Sequence, residues 1–334
     1  MNSSQKNSLI LFSIASGLLI NSCKKEKDET STSTTTTTTT TVVCSPKTAF
    51  IADTATGPRL ILQFQFDSTQ VRLNNLGNPS TIPSGHAAQS PAFNFISQHY
   101  IELANDHDSV GKGIVLYVGA QTTAGGATAI DYCSSVITAE NVVFYSKALK
   151  QITPGSYKWL RVSLAYQNYN ITFKATAIPG NHIGTGTLAS FIGFNTYITN
   201  YQVNGTTYNP SAAAGGQGNH LQGYWAFETS VAGQKYFKDG QAPAGATTVP
   251  NPLFATSPIP AGSCLVTGQF VDTGKVNSPL VITGTETQNI IIKVSLSTNK
   301  SFEWVDGTAD GYYQPEAGET VVDMGIRGLI PIKN

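Results

Sequence analysis

Charge is what this sequence most conspicuously lacks. Only 12% of its 334 residues are Asp, Glu, Lys or Arg, with twenty of each sign and a formal net charge of zero. An average soluble domain carries about twice that fraction. Balanced charge excludes electrostatic capture of nucleic acid, which needs an excess of Lys and Arg against phosphate. It also excludes disorder driven by net charge. Cysteine is sparse as well: there are four, with no CxxC pair, so zinc-ribbon and thioredoxin-type chemistry have no support. A nucleophile elbow of the G-x-S-x-G type, an H-E-x-x-H zinc motif and a P-loop are all missing. Gly184-Thr185-Gly186-Thr187-Leu188-Ala189 fits G-x-G-x-x-A, but no βαβ pattern surrounds it, so it does not predict nucleotide binding. Helical runs are scarce too, because Gly, Pro, Thr and Asn interrupt most stretches of helical length.

The N-terminus has a clear pattern. Lys6 precedes an apolar run, Leu9 to Ile20, in the arrangement of a secretory signal. Those twelve residues rise about 1.5 Å each and fall short of a ~30 Å hydrocarbon core, so a permanent membrane span is not expected. Leu18-Leu19-Ile20-Asn21-Ser22-Cys23 resembles a bacterial lipobox. That resemblance implies cleavage before Cys23, a diacylglycerol on its thiol, and a stable anchor once several acyl chains are attached. Lys24-Lys25-Glu26-Lys27-Asp28-Glu29 resembles the charged export tag of surface lipoproteins in some Gram-negative bacteria. Thr30 to Thr41 contains eight consecutive Thr, has nothing to bury and reads as a disordered tether. The expected organisation is a signal peptide over 1–22, a lipidated Cys and tether over 23–45, and a folded domain over 46–334. The expected location is the outer membrane, with the membrane itself a partner through the lipid.

Beyond the tether, period-two alternation and β-branched residues dominate. Leu60 to Phe66, Gly113 to Gly119, Asn141 to Lys147, Ser156 to Tyr166, Asn170 to Ile178, Leu188 to Phe194 and Tyr197 to Val203 read as strands. So do Gly223 to Thr229, Leu265 to Val271, Leu280 to Thr283 and Asn289 to Leu296. Pro154-Gly155, Pro179-Gly180, Asn204-Gly205 and Asp306-Gly307 supply turns. Ser90 to Leu103 has Phe93, Ile96 and Tyr100 at helical spacing and is the one segment expected to hold a turn or two of helix. Ala212 to Gly218 and Gln234 to Ser263 read as loop insertions. The predicted class is all-β: a large antiparallel sandwich of about a dozen strands, or two abutting sandwiches.

Three groups of side chains are candidates for chemistry. His99, with Asp106, His107 and Asp108 downstream, offers imidazole and carboxylate for a divalent metal. The C-terminal acids Asp306, Asp310, Glu316, Glu319 and Asp323 offer oxygen ligands suited to calcium. Tyr197, Tyr201, Tyr224 and Trp225, with Trp159 and the amides of Asn168, Asn170, Asn195 and Asn200, offer flat rings and polar groups for a glycan. Asp131, Glu140 and Glu228 are scattered carboxylates that only folding could pair for glycoside hydrolysis. After Cys23, the cysteines are Cys44, Cys133 and Cys264. Export permits one disulfide, three pairings are open, and a Cys44–Cys264 staple from domain entrance to late loop is the expected arrangement.

The order of Leu60–Phe66, Ser97-Gln98-His99-Tyr100-Ile101, Thr153-Pro154-Gly155-Ser156-Tyr157, Leu160-Arg161-Val162-Ser163-Leu164, Gly223–Glu228 and Ile290–Val294 resembles the methanobactin-associated (MbnP-like) copper-binding β-domain of some bacterial lipoproteins. The resemblance implies a copper site built with His and an oxidised Trp. Those ligands are not matched here position by position, and His99 is the residue it brings forward. Taken together, the sequence predicts a lipid-anchored, exported surface module with a binding or structural role, for a glycan or a surface protein, without catalysis. A copper- or calcium-binding lipoprotein and a glycan-active hydrolase are the alternatives.

Overall fold

The structure is a computed structural model and describes residues 43–73, 78–106, 110–176, 181–243 and 257–334. The signal peptide, Cys23 and the Thr tract lie outside the described residues, as do His107, Asp108 and the Pro179-Gly180 turn.

Fourteen strands carry the architecture. They are β1 (Arg59–Asp67), β2 (His86–Gln89), β3 (Ala92–Ala104), β4 (Ile114–Val118), β5 (Val143–Ala148), β6 (Trp159–Ala175) and β7 (His182–Phe191), followed by β8 (Tyr224–Val231), β9 (Gln234–Gln241), β10 (Cys264–Gln269), β11 (Ile290–Ser297), β12 (Phe302–Val305), β13 (Val321–Asp323) and β14 (Leu329–Lys333). Among the described residues there is no α-helix, only short 3-10 turns. The fold is all-β, as the alternation predicts.

One layer runs β14-β11-β1-β5, with β1 parallel to β11 and antiparallel to β5. The other runs β9-β8-β7-β6-β3-β4. In that layer β10 and β7 share one side of β6: β10 pairs along Trp159–Leu164 and β7 along Tyr166–Ala175. A small sheet, β2-β12-β13, completes the covering. Leu60, Leu62 and Phe64 of β1 pack with Leu160, Val162 and Leu164 of β6 and Ile101 and Leu103 of β3. Tyr169, Ile171 and Phe173 of β6 join Phe227, Phe302, Trp304 and Tyr313 in a second core. The layers close where Gly268 meets β14: a Cβ there would lie 2.1 Å from the Leu329 carbonyl oxygen, so only glycine fits.

Strict alternation would send Leu164 and Tyr169 to opposite faces. A register shift prevents this. Leu164 pairs with Gln98 and Tyr166 with Ser97, leaving Ala165 as an extra residue. This bulge resets the alternation, so β6 keeps one apolar face along all 17 residues and the two strands expected there merge into one. Ser90 to Leu103 is likewise strand instead of helix. Its register slips at Asn94 and at His99. Phe93, Ile96, Gln98, Ile101 and Leu103 therefore turn to the inner side at intervals of three and two, which imitates helical spacing.

Two more expectations change. Gln234 to Gln241 is strand β9, joined to β8 by a two-residue turn with Ala232 at φ 50° and Gly233 at φ 79°. The disulfide is Cys44–Cys133, not Cys44–Cys264, with Cα atoms 4.9 Å apart. Cys264 points into the main core, whereas Cys44 belongs to a third cluster with Tyr132, Tyr166, Phe191, Tyr201 and Tyr224. That cluster covers the opposite face of the β6 sheet, so the sheet separates the two sulfurs.

Candidate functional site

The bulges that organise the cores also decide what faces outward. After Ala165, Asn168 and Asn170 share the outer face of β6, and the slip at Asn94 turns that amide toward them. Asn94 Nδ2 donates to Asn168 Oδ1 at 2.8 Å and to Asn170 Oδ1 at 3.2 Å, and Asn170 Nδ2 donates back to Asn94 Oδ1 at 3.3 Å. Thr187 Oγ1 donates to Asn170 Oδ1 at 2.9 Å, and Asn168 Nδ2 donates to the Val203 carbonyl at 2.9 Å. These amides form the floor of an open groove of ≈ 530 Å³, bordered by Phe95, Glu140 and the Asn204-Gly205 turn. Phe95 is 40% exposed, an unusual position for a large ring.

The groove's second wall is held in place from below. The Glu228 carboxylate, only 3% exposed, accepts Asn204 N at 3.0 Å and Thr206 Oγ1 at 2.7 Å. Gly205 takes φ 76°, which the turn requires. Glu140 Oε1 accepts Phe66 N at 2.9 Å, which orients its exposed carboxylate at the rim. Glu140 is the one ionisable side chain among the residues described as lining this groove. Glycoside hydrolysis by the common route needs two carboxylates flanking the bond. Glu228 is occupied with the loop, and Asp131 caps a 3-10 turn by accepting Ser134 N at 3.3 Å. The groove therefore offers hydrogen-bonding amides and an aromatic face, which suit a neutral polar ligand.

The four aromatic residues expected to form a glycan face do not form one. Tyr201, Tyr224 and Trp225 are buried, and Tyr197 is half-buried on a short strand paired on both sides, with Asn219 and with Asp131. Tyr201 and Tyr224 hydroxyls meet at 2.7 Å, and Tyr224 donates on to Asp239 at 2.8 Å. Burial wins for Tyr224 and Trp225 because the two faces of β8 carry different cores, and Tyr201 is buried because its segment packs on one of those cores. Alternation shows which side chains share a face, but not that the second face is covered.

Among the described residues the metal candidates do not converge. His99 is 2% exposed, its Nε2 lies 2.9 Å from Gln121 Nε2, and its ring packs edge-on against Phe194. The slip in β3 thus takes it away from Ile101, with which plain alternation would have grouped it. Burial lowers its pKa to about 4. Asp106 lies next to the Arg161 guanidinium, which donates to its carbonyl. Asp306 accepts Gly311 N at 2.9 Å, Asp310 is paired with Lys174 at 2.6 Å, and Glu319 accepts Gln314 N at 2.7 Å. Asp323 is paired with Arg327 and Arg72. Arg72 also pairs with Glu303, whose second oxygen lies 2.6 Å from His86 Nδ1. Among the described residues no three His, Cys, Asp or Glu are placed to hold a metal ion. The side-chain donors that meet at His99, among the described residues, are its imidazole and the Gln121 amide.

Compared with known proteins, the chain matches no family model, no curated protein and no solved structure. The functional reading therefore rests on the groove. Sequence reasoning singled out Asn168 and Asn170 but not Asn94 or Phe95, which lay in the segment with apparent helical spacing. The available signal was the Asn168-x-Asn170 repeat in an alternating strand, which puts two amides on one face.

Proposed function

We propose that this chain is an exported, lipid-anchored β-sandwich whose outer groove binds a neutral glycan without altering it. The observation that carries the reading is the amide ladder Asn94–Asn168–Asn170 beside the exposed ring of Phe95. Sugar rings present apolar C–H faces that stack on an aromatic ring, and hydroxyls that exchange hydrogen bonds with amides. A chain so poor in charge has little with which to attract a polyanion, and the lipobox and tether would present the domain to glycans at a cell surface. Catalysis has no second carboxylate in the groove to support it. Calorimetric titration of neutral oligosaccharides into the mature protein tests the reading. Binding is expected to fall about tenfold or more for Asn170→Ala, which removes both a donor and an acceptor. Full affinity in that variant, or retention of every sugar unbound, would refute it.

A further inference from the structure

A second, smaller depression of ≈ 170 Å³ adjoins the amide groove. The two share Phe95, Asn168, Val203 and Gly205 as lining residues. Small-molecule sites span about 300–1,000 Å³, so the smaller depression is not a site by itself, whereas as an extension of the groove it lengthens one. We infer that the two form a single trough for an extended, linear neutral glycan, with Phe95 as a stacking platform at their junction. This rests on the reading of the groove as a glycan site.

The far end of the trough is a built wall. It consists of Ser45, Pro46 and Thr48, with Gln202 opposite. The segment is fixed at four points. Cys44 is bonded to Cys133, Cys44 N donates to Asn200 Oδ1 at 2.7 Å, Lys47 N donates to the Ser135 carbonyl at 2.9 Å, and the Lys47 carbonyl accepts Ile137 N at 2.8 Å. A wall held this way does not have to be ordered when ligand arrives, which saves affinity that a loose segment would lose. Ser45 is itself exposed. The lining mixes polar and apolar groups in both parts: the amides of Asn94, Asn168 and Asn170 line the groove, Phe95 is shared, and Ser45, Thr48 and Gln202 line the smaller depression beside Pro46 and Ile137. A linear chain of sugars presents hydroxyl edges and apolar ring faces to such a mixed surface.

The test uses the mature full-length protein in detergent and titrates neutral xylo-, manno-, malto- and cello-oligosaccharides from monomer to hexamer. Affinity for the bound series is expected to rise about tenfold or more from the shortest chain to the longest. Phe95→Ala, at an exposed position, is expected to remove about tenfold for the longest chain. Ser45→Trp, which fills the far depression, is expected to abolish the gain in affinity with chain length. Affinity independent of chain length, or a Ser45→Trp variant that still prefers long chains, would overturn the inference while leaving the groove reading intact. Failure of every series to bind overturns both.

Discussion

Arg161 and Glu102 face each other from neighbouring strands with no solvent reaching either side chain: Nη1 lies 3.4 Å from Oε1, and both residues are fully buried. Glu102 also accepts Gly111 N at 2.9 Å, Gly113 N at 2.7 Å and the Tyr100 hydroxyl at 3.1 Å. The carboxylate thus fixes the backbone after β3, and the guanidinium offsets its charge. Removing one partner would leave the other charged and buried. Arg161→Met and Glu102→Gln are each expected to destabilise the domain by about 3–5 kcal/mol in urea denaturation, whereas the double variant should lose less than the sum. Strict additivity would show that the two do not act as a pair.

His99 makes the fold acid-sensitive. Unfolded, its imidazole takes a proton near pH 6.5, while folded, burial delays this to about pH 4. Between those values the unfolded state binds more protons, so stability is complete above pH 6.5 and falls as the pH drops toward 4. The loss approaches about 3 kcal/mol at the acid end of that window. Urea denaturation at about pH 7 and about pH 5 should show a smaller difference for His99→Gln than for the wild type. Equal differences would mean that the imidazole is not the group responsible.

The cysteine assignments are open to direct measurement. Burial pushes the Cys264 thiol up to about 12, so a thiol reagent should leave native protein unlabelled and modify Cys264 only after denaturation. Peptide mapping without reductant should recover Cys44 joined to Cys133. Because the bond closes a loop of 89 residues' separation, replacing both cysteines with Ser should cost about 4.6 kcal/mol on the chain-entropy model. A peptide linking Cys44 to Cys264 would contradict the placement of the sheet between them.

The anchor reading makes a prediction of its own. Cys23→Ser should move the protein from the membrane fraction to the soluble exported fraction and abolish incorporation of labelled fatty acid. Unchanged partition would show that something other than acylation at Cys23 retains it.

Fold class was legible because Leu60 to Phe66 and its counterparts alternate cleanly, and a sheet with one covered face demands that pattern. The bulges were not legible. An inserted residue such as Ala165 or His99 has no composition of its own, yet it decides which neighbours share a face. That is why Phe93 and Ile96 share a face at a helix-like interval while Tyr100 lies on the other, and why His99 and Ile101 part company. Tyr224 and Trp225 misled for a related reason: a ring on a doubly covered strand has the same local sequence as a ring on an exposed one. The amide groove was half visible, through Asn168 and Asn170. The rest depends on Asn94 and Phe95 arriving from a strand whose pairing is non-local.

The length of β6 has one more consequence. Leu160, Tyr169 and Tyr166 belong to three different cores but to one hydrogen-bonded element. Loosening any one core therefore strains the strand on which the others depend. The strand acts as a keel: the domain should melt in one transition, and the groove on its outer face should keep its shape until the whole fold gives way.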